Sequence, residues 1–242
     1  MVKVCILQTD NRPDLHFVKL TRDINQLFCS QLGYDYLFLP FDNNQFGNIN
    51  PCTKKIHIIN DFFLKNTGYD ILVFLDSDAW IQNGNWLNDI IKNLNNNEDK
   101  HGCFSRDPYI KKNTFINSGS FIIKINDFTK NMYQQLLNDL NNDDSHLNNW
   151  PYDQYYVANY VFENKDKFTI FIPHTLNTPY GEVLRHNWYK NKAMFNDIHK
   201  LFYEFEQGIL LENKEPFNED SYLDHEEFPN IPEEGYEYYK AE

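Results

Sequence analysis

The sequence predicts an α/β protein with a mixed, mainly parallel sheet flanked by helices. Strand-like and helix-like segments alternate from Val2 to Leu94, the signature of βαβ units. Ile71-Leu72-Val73-Phe74-Leu75 is apolar without interruption, as expected of a strand covered on both faces. Asp76 and Asp78 stand where that strand runs out. In open α/β sheets the carboxyl ends of the strands are where ligands bind.

The elements follow in order. Val2 to Gln8 reads as a strand and Thr9-Asp10-Asn11-Arg12-Pro13 as a polar loop. From Asp14 to Leu32, apolar residues at Leu15, Val18, Leu20, Ile24, Leu27, Phe28 and Leu32 recur near helical period, and Gly33 suits a C-cap. Tyr34 to Leu39 is a second strand, followed by a loop to Pro51. Thr53 to Asn66 is a helix with Ile56, Ile59, Phe62 and Phe63 inward, stopped before Gly68. After the acid-bearing strand come a helix over Trp86 to Leu94, a strand over His101 to Ser105, and another through Phe121-Ile122-Ile123. Helices are expected over Phe128 to Leu140 and Tyr152 to Phe162, a strand over Phe168 to Pro173, and a last helix beyond His199.

The chain has 242 residues, with 20 Phe and 16 Tyr, enough to build a large core. Its mean hydropathy of −0.65 reflects Asn-rich loops such as Asn95-Asn96-Asn97. The net charge of −13 is uneven: residues 203–242 carry 13 acids against Lys214 and Lys240, and the body before them is nearly neutral. The division expected is a catalytic domain over 1–200 and an acidic C-terminal extension over 201–242. Without a basic run, nucleic acid is not an expected partner. Cys5, Cys29, Cys52 and Cys103 form no CxxC pair and read as reduced core thiols. The N-terminal segment reads as a strand rather than a signal peptide, and no apolar run reaches the roughly 20 residues of a membrane span. The expectation is a soluble, cytoplasmic protein.

Alternate residues of a strand share a face, so Asp76 and Asp78 can point together across Ser77. Paired carboxylates at the end of a buried strand call for a cation between them. Hard oxygen ligands suit Mg²⁺ or Mn²⁺. The plain alternative is a turn, where Asp is common. His186 lies among Arg185, Lys190 and Lys192, the densest basic cluster of the chain. A lone histidine is usually a surface or packing residue; beside lysines suited to phosphate it becomes a candidate third ligand, and an imidazole favours Mn²⁺ over Mg²⁺. In Phe115-Ile116-Asn117-Ser118-Gly119-Ser120-Phe121, either a turn feeds a strand, or Asn117 and Ser118 reach a polyhydroxylated ligand while Gly119 permits close approach. Asp153-Gln154 sits where a helix starts, and Asp is favoured there in any case. Lys54-Lys55 and Arg106-Asp107 are ordinary surface pairs unless the fold carries them to the acids.

Taken together and in this order, these motifs resemble the GT-A glycosyltransferases, with the Rossmann-like nucleotide-diphospho-sugar transferase fold. The glycogenin-like and α-galactosyl/xylosyltransferase families give the nearest patterns. The resemblance spans Val2 to Lys192. It departs in the inserted Ile116, in the Arg185-His186-Asn187-Trp188 context of the histidine, and in lacking a membrane anchor. It implies that Asp76-Ser77-Asp78 is the DxD element holding Mn²⁺ (or Mg²⁺) and the diphosphate of a nucleotide sugar, expected to be a UDP-sugar, with His186 as third metal ligand. It further implies that Lys190, Lys192 and Lys55 are donor-binding cations and that Thr9 to Arg12 (Thr9, Asp10, Asn11, Arg12) meets uracil and ribose. Asn117, Ser118, Gly119 and Asp107 would face the donor sugar, and Asp153-Gln154 the anomeric carbon. The implied activity is sugar transfer to a glycan or other hydroxyl acceptor with retention, by front-side attack; Asp153 as nucleophile or base is the second mechanism. Two other functions compete: a haloacid dehalogenase-type phosphatase, which also carries DxD after an apolar strand, and a catalytically inactive sugar-nucleotide or glycan-binding module.

Overall fold

The computed structural model describes residues 2–65, 68–108, 114–188, 192–209 and 215–225, without the side chains of 192–194. Along the chain run β1 (Val4–Asp10), α1 (His16–Leu32), β2 (Asp35–Pro40), α2 (Pro51–Lys65), β3 (Ile71–Leu75), β4 (Ala79–Ile81), α3 (Gly84–Asn96), β5 (Gly102–Arg106) and β6 (Ile116–Lys124). Then come α4 (Asp127–Asn142), α5 (Asp153–Glu163), β7 (Phe168–Phe171), the single-turn α6 (Pro173–Leu176), β8 (Leu184–His186) and α7 (Lys192–Glu206). Gly33 caps α1 in the left-handed region at φ 70°, as its position predicts.

Six strands form one sheet in the order β2-β1-β3-β6-β5-β7. All run the same way except β6, which lies antiparallel between β3 and β5. The predicted mixed, mainly parallel sheet is therefore present, and it matches the Rossmann-like fold expected. Alternation along each strand feeds two cores. Val4, Ile6, Ile71, Val73 and Leu75 pack on one face with α1, α3 and α7; Cys5, Leu7, Leu72 and Phe74 pack on the other with α2, α4 and α5. Both faces are covered, which is why the β3 sequence is apolar throughout. No helix among the described residues is long and apolar enough to cross a membrane.

Several elements differ from the sequence reading. The strand expected over Phe168 to Pro173 ends at Phe171, because Pro173 opens α6. The last helix starts at Lys192, not beyond His199, and ends at Glu206. Two short strands, β4 and β8, were not expected. They pair antiparallel, setting Ala79 opposite His186 and Ile81 opposite Leu184. Cys52 is exposed, unlike the other three thiols.

Residues 215–225 lie against the body. Phe217 is buried beside Trp86, Phe171 and Tyr222; Leu223 bridges to Phe171; Asp224 forms a buried ion pair with Arg106 at 2.8 Å. Phe228, Tyr236, Tyr238 and Tyr239 lie outside the described residues.

Candidate metal centre and active site

The parallel strands end along one edge of the sheet. β1 ends at Asp10, β3 delivers Asp76, and β5 delivers Arg106 and Asp107. Because β6 runs the other way, its first residues, Ile116 to Ser120, lie at the same edge, with Ser120 opposite Leu75. The N-terminal turns of α2 and α5 add Lys55 and Asp153. Residues dispersed over more than half of the sequence therefore meet in one place.

The β4–β8 pair closes the gap between Asp78 and His186. His186 Nε2 lies 3.2 Å from Asp78 Oδ1 and 3.6 Å from Asp76 Oδ2. One ligand atom from each of the three residues falls within 4.8 Å of the others. The three side chains are close enough that they could ligate one ion together. Two carboxylates and an imidazole are a donor set for a divalent cation. Trp188 meets the imidazole edge-on at 5.3 Å and limits its rotation.

Lys55 is buried among these acids. Its Nζ is 2.9 Å from Asp153 Oδ2 and 3.0 Å from Asp76 Oδ1. Burial alone would lower the pKa of this ammonium; Asp153 and Asp76 outweigh it, and the group is held above its ordinary value. Asp76 is pushed up to about 6, chiefly by burial and against the pull of Lys55 and His186. For His186, burial again opposes protonation, and the charge and hydrogen bond of Asp78 with the charge of Asp76 prevail, raising its pKa.

The sugar-facing candidates join the same network. Ser118 Oγ donates to Asp153 Oδ2 at 2.6 Å. Asp107 Oδ2 accepts from Asn117 Nδ2 at 3.1 Å and from Gln154 Nε2 at 3.0 Å. Tyr152, immediately before Asp153, has φ 58° and ψ −132°, a strained backbone for a residue with a side chain. Gly119 explains itself differently from expectation. The close approach is made by His186: a Cβ on Gly119 would fall 1.9 Å from the imidazole Cε1. Gly119→Ala should therefore displace the imidazole and weaken Mn²⁺ binding by at least about tenfold, the usual scale for disturbing a ligand's support. Calorimetric titration checks this; unchanged affinity would mean that the ring does not ligate.

The remaining candidates divide. At the end of β1, Arg12 forks onto Asp10 through Nε (3.1 Å) and Nη2 (3.0 Å), and its charge reaches Asp78. Thr9 Oγ1 donates to Leu39 O at 2.6 Å, and Asn11 bonds Asn43. Ser77 contributes its carbonyl, which accepts from Thr21 Oγ1 at 2.7 Å. Lys190 and the side chain of Lys192 lie outside the described residues. Lys54 is no surface residue: it is buried and donates to Asn43 O. Sequence reasoning missed Gln8, Thr21 and Asn25, which bond the backbone of the turn that carries the two aspartates. A signal was present, since Val18, Thr21, Asn25 and Phe28 form one helical stripe with two polar members on its buried side.

No family model matches the sequence, and no curated protein matches it either. Among solved structures, the chain is similar to the crystal structure of a glycosyltransferase involved in the glycosylation of the major capsid of PBCV-1. The TM-score is 0.66 at 17% identity, covering 82% of this chain and 99% of that one. The fold is a glycosyltransferase fold. On it, Asp76, Asp78 and His186 form a group that could hold a metal ion.

Proposed function

We propose that this chain transfers a sugar from a nucleotide sugar, a UDP-sugar, to a hydroxyl of a glycan or other acceptor, with the help of Mn²⁺ or Mg²⁺. One observation carries the reading: on a glycosyltransferase fold, Asp76, Asp78 and His186 converge beside the Lys55–Asp153 pair. Asp76, Asp78 and His186 would hold the ion. Bound there, a divalent ion supplies Lewis-acid neutralisation of charge on the departing diphosphate. Lys190 and Lys192 are proposed as fixed cations for the same group, and Lys55 as the cation that keeps Asp76 and Asp153 together. Thr9, Asp10, Asn11 and Arg12, at the adjacent strand end, are assigned to the nucleoside. Asp107, Asn117, Ser118 and Gln154 are assigned to sugar hydroxyls, contributing by orientation.

The ion pair and the Ser118 hydrogen bond draw electron density from Asp153 and make it a poor nucleophile. This supports front-side transfer with retention over double displacement. The phosphatase alternative needs a second acidic pair at a strand end. Asp143-Asp144 lies at the end of a helix and not of a strand: Asp143 caps the C-terminus of α4 and accepts from Ser145 N–H at 3.0 Å.

The deciding experiment screens nucleotide sugars for Mn²⁺-dependent thermal stabilisation, then incubates the best donor with acceptors and follows the anomeric proton by NMR. A native-state ligand must raise the melting temperature. Stabilisation by a UDP-sugar only with metal, and a product of retained configuration, is expected. An inverted product would end the front-side mechanism; phosphate release from p-nitrophenyl phosphate without sugar transfer would end the whole reading. Metal binding should also depend on pH in a stated direction. Asp76 and His186 both hold protons to higher pH than free side chains, and a bound proton excludes the ion. Mn²⁺ affinity is therefore expected to be stronger at pH 8 than at pH 5 and to be lost as pH falls through about 6, where Asp76 takes up its proton; a flat profile between pH 5 and 8 would contradict the ligand set.

A further inference from the structure

We infer that Gln8, Thr21 and Asn25 are positioning residues for the metal centre, setting the backbone of the Asp76–Ala79 turn so that both carboxylates face His186. The inference rests on the reading of that centre given above. All three side chains are fully buried. Gln8 Nε2 donates to Asp76 O at 3.0 Å and to Ala79 O at 3.1 Å; its Oε1 accepts from Asn25 Nδ2 at 3.0 Å and from Tyr36 OH at 2.6 Å. Asn25 Nδ2 also donates to Ala79 O at 3.1 Å, and its Oδ1 accepts from Ile81 N at 2.8 Å. Thr21 Oγ1 donates to Ser77 O at 2.7 Å.

The amide of Gln8 uses two donors and two acceptor positions, and that of Asn25 two donors and one acceptor. Every bond from the three residues to the turn ends on its backbone between Asp76 and Ile81. A polar cluster this complete fixes one arrangement of a turn that packing alone would leave several. Ala79 is also the residue that β8 sets opposite His186, so the cluster fixes both aspartates and the register that brings the imidazole to them.

The test measures Mn²⁺ affinity by calorimetry, with melting temperature recorded in parallel, on wild type, Asp78→Ala, Thr21→Val, Thr21→Ser and Gln8→Met. Thr21→Val keeps shape and removes one hydroxyl, which bonds Ser77 O and, within α1, Val18 O, so it is the variant expected to fold. Val161→Ala, in the core on the opposite sheet face, serves as a control for general destabilisation. Expected are no binding in Asp78→Ala, about tenfold weaker binding in Thr21→Val and Gln8→Met, near wild-type binding in Thr21→Ser, and unchanged affinity in Val161→Ala despite its lower melting temperature. Wild-type affinity in both Thr21→Val and Gln8→Met, with binding still abolished in Asp78→Ala, overturns the positioning role and leaves the metal centre intact. Absence of Mn²⁺ binding in the wild type overturns both.

Discussion

Asp78→Ala is expected to lower metal-dependent sugar transfer by about a thousandfold or more while leaving the metal-free protein as stable as before, or slightly more so. The rate loss corresponds to about 4 kcal/mol of transition-state stabilisation, the several kcal/mol that a correctly held cation contributes. The stability half of the expectation comes from charge. Without metal, Asp76, Asp78 and Asp153 face one another across a single lysine, and Asp76 is pushed up to about 6, chiefly by burial, with repulsion from the charges of Asp78 and Asp153 adding to the rise. Removing one carboxylate relieves that repulsion, although His186 loses its nearest acceptor. The site trades stability for function, as binding sites do. Turnover with and without Mn²⁺, and melting curves in EDTA and in Mn²⁺, decide the matter. The wild type should gain stability from the ion and the variant should not. Unimpaired turnover in Asp78→Ala, or in wild type with excess EDTA, would place the chemistry elsewhere.

The parts legible in the sequence are those whose signal is local. The unbroken apolar run of β3 with two acids at its end pointed to both the sheet and the edge at which those acids meet His186. Gly33 and the helical stripes gave most boundaries of α1 and α2, although Pro51, read as the end of a loop, opens α2. What escaped depends on distant pairing. β4 and β8 are three residues each, too short for any periodicity, yet their pairing carries His186 to Asp78 over more than a hundred residues. Lys55 and Lys54 look like a surface pair because a helix start is usually solvated; here α2 begins against the acid cluster, and both lysines are buried. Gly119 was legible as a point of close approach, but which partner approaches was not written nearby. Arg106 read as surface because its counter-ion, Asp224, comes from the far end of the chain.

Lys55→Met should be the most destabilising single change at the site, by about 3–5 kcal/mol, because it leaves two buried carboxylates without their cation. The loss should depend on pH. A carboxyl whose folded pKa is raised above its unfolded value is penalised as pH rises through that value, since the folded state then gives up a proton it would rather keep. Asp76 already lies near 6 with Lys55 in place. Without the lysine its pKa rises further, so the difference from wild type should be smaller at pH 5, where Asp76 is protonated, than at pH 8. Urea unfolding at the two pH values measures both. A second substitution separates the ion pair from mere packing. Lys55→Met combined with Asp153→Asn removes charge from both sides, and replacing a buried pair entirely is far less harmful than breaking it. The double variant should recover at least half of the stability lost in Lys55→Met, a coupling that a double-mutant cycle reads directly. Additive losses would show that the charge of Lys55 does not stabilise the fold through Asp153.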